Sequence, residues 1–184
     1  MTLSSYPVVR LRPKAEARAI RHGFPWIYSN ELVTDRRTKG LEPGGFAVLE
    51  DAERTPMGVI TVNNASRIIG RMMDRNPEAV IDTDWLAARL RIALAHRERL
   101  YDQPFYRLVH AEADGLPGVV IDRFGAAAVI QPNAAWSEAM IAPLTEALMA
   151  VTGVTCVIKN GGGRARTLEG LDEDTGVLRG EVTG

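Results

Sequence analysis

The chain of 184 residues has a single cysteine, Cys156, and only three histidines, which lie far apart. One cysteine excludes an internal disulfide framework, and low cysteine use is typical of proteins in a reducing cytoplasm. We therefore expect a cytoplasmic protein. Cys156 lies in the apolar run VTCVI, where we expect a buried small hydrophobic residue rather than a reactive thiol. No Cys/His spacing is typical of a zinc site, so we expect no metal.

Long hydrophobic runs are also lacking. No stretch approaches the roughly 20 apolar residues needed to span a bilayer, and the N-terminal MTLSSYPVVRLRPK has no apolar core of a secretory signal. The apolar fraction of 46% and the charged fraction of 24% are typical of globular proteins. We therefore expect one large or two small globular domains and no membrane partner.

The net charge of −1 conceals an asymmetry. Residues 1–75 carry a balance of +4, and residues 76–184 carry −5. The first part is therefore the candidate for an anionic partner. A balance of +4 is modest, so charge alone does not establish nucleic-acid binding.

Short strand-like runs separated by turns fill the first part of the chain. They cover residues 6–11, 45–51, 57–64 and 67–74, with PWIYSNEL before them, and Pro13 suits the first turn of a helix over residues 14–21. This pattern predicts a small β-barrel. Asn76-Pro77 indicates a boundary, so we expect domains over residues 1–77 and 78–184.

The second part changes to a helical period. Asp82 or Asp84 caps a predicted helix that ends near residue 102. Predicted strands follow over 106–112, 118–124 and 127–131, then a helix over 137–152 closed by Gly153, a buried strand over 154–160 and a last strand in GVLRG. Pro143 conflicts with the second helix, so we expect a kink or a later start there. The predicted class is α+β, with a mixed or antiparallel sheet and two main helices.

The glycine-rich stretch NGGGRAR, residues 160–166, follows an apolar strand as a nucleotide-binding loop does. It matches neither G-x-G-x-x-G nor a P-loop, and no convincing helix follows it. We expect a flexible loop, whose Arg164 and Arg166 remain candidates for phosphate contact.

HAEADGLPGVVIDRFG, residues 110–125, concentrates turn residues and acids. Pro117 and Gly118 fit a type II turn, and Asp114-Gly115 is a second turn signal, so we expect these four residues to set a backbone path between two strands. Asp122 and Arg123 are expected to brace the next strand. The alternative is a small-molecule enzyme that uses His110, Glu112 and Asp114 for acid–base chemistry.

Basic residues cluster near the N-terminus and predict a surface that contacts a phosphate backbone. Trp26 and Tyr28 follow and can stack on bases, although we favour core packing for both. The candidate phosphate contacts are Arg12, Lys14, Arg18 and Arg21.

Three segments in order, GFPWIYSNEL, RLVHAEADGLPGVVIDRFGAAAVIQ and EGLDEDTGVLRGEVTG, closely resemble a bacterial family. It comprises the SAM-dependent 23S rRNA cytosine-C5 methyltransferases with an N-terminal PUA domain. The resemblance implies a PUA barrel over roughly residues 5–76 that binds ribosomal RNA. Within it, the basic cluster supplies the predicted RNA contacts, and the second choices are Arg67, Arg71 and Arg75. It implies that residues from about 80 to 180 form the central domain before a catalytic Rossmann domain.

The resemblance also implies what these residues lack. No proline follows an aspartate, so the family's Asp-Pro-Pro motif is absent, and Cys156 lies in the wrong domain to be the catalytic cysteine. We therefore expect an N-terminal part without the Rossmann domain, without catalytic or cofactor-binding residues, and inactive alone. S-adenosylmethionine would serve the parent protein, and the family allows homodimers. A free-standing RNA-binding module is the alternative, which the reading frame after Gly184 would decide.

Overall fold

Short apolar segments build the first of two sheets in the computed structural model, which describes residues 6–181. The strands lie in the order β1-β3-β4-β5-β2. β1 is parallel to β3, and the other neighbours are antiparallel. The elements are β1 Val8–Arg10, α1 Ala17–Arg21, β2 Trp26–Ile27, α2 Arg36–Lys39, β3 Gly45–Glu50, β4 Pro56–Val62 and β5 Gly70–Asp74.

The two edges of this sheet meet where the chain after β1 pairs with the chain after β2. Leu11 forms an antiparallel bridge with Leu32. On either side of it, the Arg12 N–H donates to the Glu31 carbonyl at 2.7 Å and the Val33 N–H donates to the Arg10 carbonyl at 2.8 Å. The sheet therefore curves around one apolar core, whose fully buried members include Leu11, Ile20, Ile27, Leu32, Leu49 and Ile60.

Helix α1 is shorter than the predicted helix over residues 14–21, because it begins at Ala17. The Ala15 N–H donates to the Arg12 carbonyl at 3.0 Å, so residues 12–15 form a turn that contains Pro13. Lys14 consequently lies in a turn before the helix. Ile20 is the buried residue of α1 and fixes it on the core.

The chain divides into two compact units between Val80 and Ile81. The second unit has a sheet in the order β10-β9-β8-β7-β6. β8 and β9 are parallel and the other neighbours are antiparallel, so the sheet is mixed. Its elements are α3 Thr83–Glu98, β6 Phe105–His110, β7 Val119–Phe124, β8 Ala127–Pro132, α4 Ala135–Ala139, α5 Ile141–Thr152, β9 Cys156–Lys159, α6 Arg164–Leu168 and β10 Gly176–Arg179. The predicted α+β class is confirmed.

Helix α3 follows its sequence pattern at the start and departs from it at the end. The Asp82 carboxylate accepts from the Trp85 N–H at 2.8 Å and caps the helix. The predicted end near residue 102 is wrong, because α3 ends at Glu98. There the N–H groups of Leu100 and Tyr101 both donate to the Arg97 carbonyl at 2.9 Å and close the helix in a turn. No helix within residues 6–181 is long and apolar enough to span a membrane.

The predicted single helix over residues 137–152 is two helices, α4 and α5, separated at Met140. Pro143 lies in the first turn of α5, where a backbone N–H has no intrahelical partner to lose. The expected later start is therefore confirmed. Gly153 ends α5 with a φ of 71°, the left-handed conformation of a glycine cap.

Candidate nucleic-acid interface

A cleft of about 450 Å³ opens on the first unit, where the segment after β1 meets the segment after β2. One wall is the turn over residues 12–15. The other wall is a turn in which the Glu31 N–H donates to the Tyr28 carbonyl at 2.9 Å. The lining residues are Arg12, Lys14, Ala15, Glu16, Tyr28, Asn30 and Glu31. Two predicted RNA contacts therefore share a cleft with an aromatic ring and an amide.

Three of the predicted RNA contacts have partners within the first unit. The Arg12 Nε–H donates to the Leu32 carbonyl at 3.0 Å. Arg21 forms an ion pair with the buried carboxylate of Asp51, and Arg75 donates through Nη1 to the Ile20 carbonyl at 2.7 Å. These bonds fix α1 and the cleft wall, so part of the donor capacity of these arginines serves the fold.

Three other predicted contacts, Lys14, Arg18 and Arg67, are exposed. Within residues 6–181, no side-chain hydrogen bond or ion pair engages their charged ends. Uncompensated cations of this kind are available for phosphate contacts. Arg71 is half-buried and has an intramolecular partner.

An aromatic cluster, defined as Phe24, Trp26 and Tyr28, lies on the same unit. The Phe24 ring centroid is 6.1 Å from that of Trp26 and 6.2 Å from that of Tyr28. The expected core packing is wrong for Tyr28, which is 38% exposed, and Trp26 is only half-buried. The physical reason is strand alternation, because the intervening Ile27 takes the core position with 0% exposure.

Two predicted arginines from β5 and the segment before it lie along the aromatic cluster. Arg71 is the cross-strand partner of Trp26, and directly opposed residues project from the same face of a sheet. The Arg67 carbonyl accepts from the Ser29 N–H at 3.1 Å. The structure therefore places Arg71 beside Trp26 and brings the Arg67 backbone to the residue that follows Tyr28.

Sequence reasoning missed Phe24 and Asn30. The signal for Phe24 was its spacing of two from Trp26 and four from Tyr28, which places all three on one face of an extended segment. Asn30 carried no signal, because its place in the cleft depends on pairing between segments that are distant in sequence.

The DGLPG segment of the second unit forms a tight connection between β6 and β7. A 3₁₀ helix covers Ala111–Asp114 and ends at Gly115 with a φ of 72°. The Val119 N–H donates to the Leu116 carbonyl at 3.0 Å across Pro117 and Gly118. Gly118 also has a φ of 72°, as the third residue of a type II turn requires.

The alternative acid–base site at His110, Glu112 and Asp114 does not fit this geometry. Oδ2 of Asp114 accepts from the His110 backbone N–H at 2.7 Å and from Arg97 Nη2 at 2.6 Å. These bonds commit the carboxylate to the backbone and to an ion pair. Only 17% of the Arg97 side chain is exposed, because the side chain is engaged in this ion pair.

The glycine-rich stretch is held by a charge cluster with two buried cations, so the expected flexible loop is wrong. Lys159 Nζ lies 2.5 Å from Glu138 and 2.9 Å from Asp174. Arg166, only 1% exposed, donates to Glu138 at 2.8 Å and to the Pro132 carbonyl at 2.5 Å. Arg166 is thus unavailable for phosphate, whereas Arg164 is exposed.

The charges in this cluster shift each other's pKa values. Burial alone would raise the pKa of Glu138, but hydrogen bonds from Lys159 and Arg166 outweigh it and lower that pKa. Burial would lower the pKa of Lys159, and its two carboxylate partners raise it instead. The hydrogen bond from Lys159 lowers the pKa of Asp174. All three groups are therefore held in their charged forms.

Gly161 in the same stretch lies against the chain's own backbone. A Cβ atom at Gly161 would lie 2.0 Å from the Asp174 carbonyl oxygen. The absence of a side chain there accommodates the chain's own backbone and leaves no space for a ligand at that point.

Comparison with known proteins agrees with the geometry of the first unit. A family profile described as "PUA-like domain" matches residues 9–75. These residues include the sheet from β1 to β5, the cleft and the aromatic cluster. The first unit therefore contains a PUA-like domain.

The chain is also homologous to large-subunit ribosomal RNA methyltransferases. It is 32% identical over 188 aligned residues to "Ribosomal RNA large subunit methyltransferase I" of Photobacterium profundum, covering 98% of this chain and 45% of that protein. It is 35% identical over 142 residues to "Ribosomal RNA large subunit methyltransferase" of Deinococcus radiodurans, covering 72% of this chain and 34% of that protein. The chain thus spans less than half the length of these curated relatives.

Two solved structures share the fold at low sequence identity. A protein of Streptococcus mutans described as a SAM-dependent methyltransferase superposes with a TM-score of 0.76 and 12% identity, over 97% of this chain and 44% of that one. A second, described as a methyltransferase complexed with SAH, superposes with a TM-score of 0.67 and 14% identity, over 84% of this chain and 39% of that one. The arrangement of elements in this chain is therefore one already seen in larger proteins.

Proposed function

We propose that this chain binds ribosomal RNA through its PUA-like unit and positions it for a SAM-dependent methyl transfer. The observation that carries the proposal is a set of three exposed cations on the first unit, Lys14, Arg18 and Arg67, of which Lys14 lines the cleft. Phosphates neutralise such cations and release counterions, so binding of this type weakens with added salt. The names of the relatives support ribosomal RNA as the nucleic acid.

The chemical step belongs, in this proposal, to the part of the relatives that the chain does not match. The target is C5 of a cytosine in 23S rRNA, S-adenosylmethionine is the methyl donor, and residues 1–184 alone are inactive. The family resemblance of the DGLPG segment supports the cytosine target. Calorimetry with S-adenosylmethionine tests whether the methyl donor binds outside residues 1–184. Micromolar binding to residues 1–184 would contradict this proposal.

The RNA-binding role is tested with fluorescence anisotropy on a labelled 23S rRNA fragment. Substituting Lys14, Arg18 and Arg67 together by alanine should weaken binding at least tenfold at low salt. Three lost phosphate contacts should also flatten the slope of log K against log salt by about 2, at roughly 0.7 per contact on single-stranded RNA.

A matched control removes three exposed arginines of the second unit, Arg91, Arg99 and Arg179. This variant has the same change in net charge and should keep nearly the full affinity. Equal losses in the two triple variants would show that binding is a nonspecific response to net charge. Unchanged affinity of the Lys14/Arg18/Arg67 variant would refute the proposed surface.

A further inference from the structure

The exposed rings of the aromatic cluster are not explained by the core of the first unit. Phe24 is 40% and Tyr28 38% exposed, although the core directly beneath holds a fully buried Ile27. Their centroid separations of 6.1 and 6.2 Å show that the three side chains form one continuous patch. Large rings held together at a surface are typical of a binding site.

Several cations lie near this patch. Tyr28 shares the cleft with Arg12 and Lys14, and Arg71 is opposite Trp26 across the β2–β5 pair. Two acids, Glu16 and Glu31, also line the cleft, and Glu31 accepts the Tyr28 backbone N–H at 2.8 Å and so is hydrogen-bonded within its own turn. A ligand for this surface therefore combines flat apolar faces with negative charge at short spacing.

Unpaired nucleotides have these properties. An unpaired base exposes both faces for stacking on an aromatic ring, and its phosphate is one nucleotide step away. In a duplex the base faces are covered by the neighbouring pairs, and only the backbone and groove edges remain available. A smooth duplex would therefore use the cations of this surface and leave the rings without contacts.

We propose that the aromatic cluster stacks unpaired bases, so that the PUA-like unit selects single-stranded RNA over duplex RNA. Tyr28 stacks a base at the mouth of the cleft, Asn30 offers its amide to the edge of that base, and Phe24 extends the stack. Lys14, Arg18 and Arg67 hold the flanking phosphates. This inference rests on the proposed RNA-binding function and specifies the class of RNA.

The test measures anisotropy of two probes with the whole 184-residue chain, a labelled 12-nucleotide oligouridylate and a blunt 12-base-pair RNA duplex. Base–aromatic stacking contributes about 1–3 kcal/mol per base, so Tyr28→Ala should weaken single-strand binding about tenfold or more. Duplex binding should change less than about twofold, because only phosphate contacts serve it. Tyr28→Phe, which keeps the ring, should retain single-strand affinity.

Phe105→Ala is the matched control, since Phe105 is 64% exposed in the second unit and should affect neither probe. Circular dichroism melting verifies that each variant is folded. If wild-type protein binds RNA with the expected salt dependence and Tyr28→Ala binds the oligouridylate as wild type does, the stacking inference is overturned and the binding function stands. If wild-type protein binds neither probe nor the rRNA fragment, both are overturned.

Discussion

The indole Nε1–H of Trp136 donates a hydrogen bond of 2.8 Å to the carbonyl of Pro117. Trp136 is fully buried in α4, and Pro117 lies in the tight connection between β6 and β7. The backbone of the turn is also hydrogen-bonded to the segment just before α4, because the Asn133 N–H donates to the Gly118 carbonyl at 2.9 Å. The DGLPG segment is therefore a docking point between a turn and a helix of the second unit.

Trp136→Phe should destabilise the second unit. The substitution leaves the Pro117 carbonyl without its buried donor, which costs about 1–3 kcal/mol, and it adds a cavity next to the turn. Urea unfolding monitored by circular dichroism measures the loss. Trp85→Phe is the control, because Trp85 is half-buried under the Arg89 guanidinium and should lose about 1 kcal/mol or less. Equal free energies of unfolding for Trp136→Phe and wild type would show that the hydrogen bond does not stabilise the second unit.

Gly118→Ala should destabilise the same turn for steric reasons, and the chain offers a matched control. Gly118 and Gly153 have φ values of 72° and 71°. An alanine at either position must adopt the left-handed conformation, which costs about 1–2 kcal/mol of stability at both. A Cβ at Gly118 would lie 2.7 Å from the Ala134 Cβ, whereas nothing lies within 4 Å at Gly153.

The difference between the two alanine variants therefore isolates the contact with Ala134. We expect Gly118→Ala to lose at least about 1 kcal/mol more free energy of unfolding than Gly153→Ala, as overpacking in a dense core usually does. Thermal melting of the two variants side by side gives this difference. Equal losses would mean that Ala134 moves away without cost.

Local signals predicted the long elements of this fold. Helix α3 had a capping Asp82 and a stripe of Leu86, Leu90 and Ala93, all buried in the structure. The break near Pro143 was visible because proline has no N–H and fits only the first turn of a helix. Helices α2 and α6, of four and five residues, are too short to show a periodic pattern, and their formation depends on contacts that the sequence does not display.

Much of the candidate interface depends on the same kind of long-range contact. Whether Tyr28 faces the core or the solvent depends on the register of a two-residue strand, and this register is fixed by pairing of Trp26 with Arg71 and of Ile27 with Gly70. The buried position of Arg166 depends on Glu138 and Asp172, which lie 28 and 6 residues away. Composition identified the basic half of the chain but not which cations are already engaged in the fold.

The charge cluster around Lys159 should make the second unit sensitive to acid. The pKa values of Glu138 and Asp174 lie below their usual 4.5 and 3.8 in the folded chain, so the unfolded chain binds more protons in acid. Their stabilising contribution is therefore complete above those usual values and is lost as the pH falls through the lowered ones. Lys159 has a raised pKa, so it affects stability at alkaline pH. Its stabilising contribution is complete below its usual pKa of 10.5 and is lost as the pH rises above that value.

Glu138→Gln tests this cluster. The variant should lose about 1.5–3 kcal/mol of stability at pH 7, because two charge-assisted hydrogen bonds are weakened. Its stability should also fall less steeply than that of wild type between pH 5 and about pH 3. Urea unfolding at several pH values gives both quantities. A wild-type curve that is flat over this acidic range would contradict the assignment.

The last prediction separates cations that bind RNA from cations that hold α1 in place. Arg18 is exposed on α1, whereas Arg21 pairs with buried Asp51 and Arg75 donates to the Ile20 carbonyl. Arg18→Ala should therefore weaken RNA binding severalfold and leave the melting temperature within about 1 °C of wild type, as an exposed substitution usually does.

Arg21→Ala should behave in the opposite way. It leaves the Asp51 carboxylate, which is 2% exposed, without its cation, and a buried charge that loses its partner is strongly destabilising. The melting temperature should fall by several degrees, and binding should weaken only as far as α1 is displaced. Asp51→Asn in the Arg21→Ala background should restore part of the stability, because the uncompensated charge is gone. If Arg21→Ala weakens RNA binding as much as Arg18→Ala while its melting temperature is unchanged, then Arg21 is an RNA contact and its pairing with Asp51 is incidental.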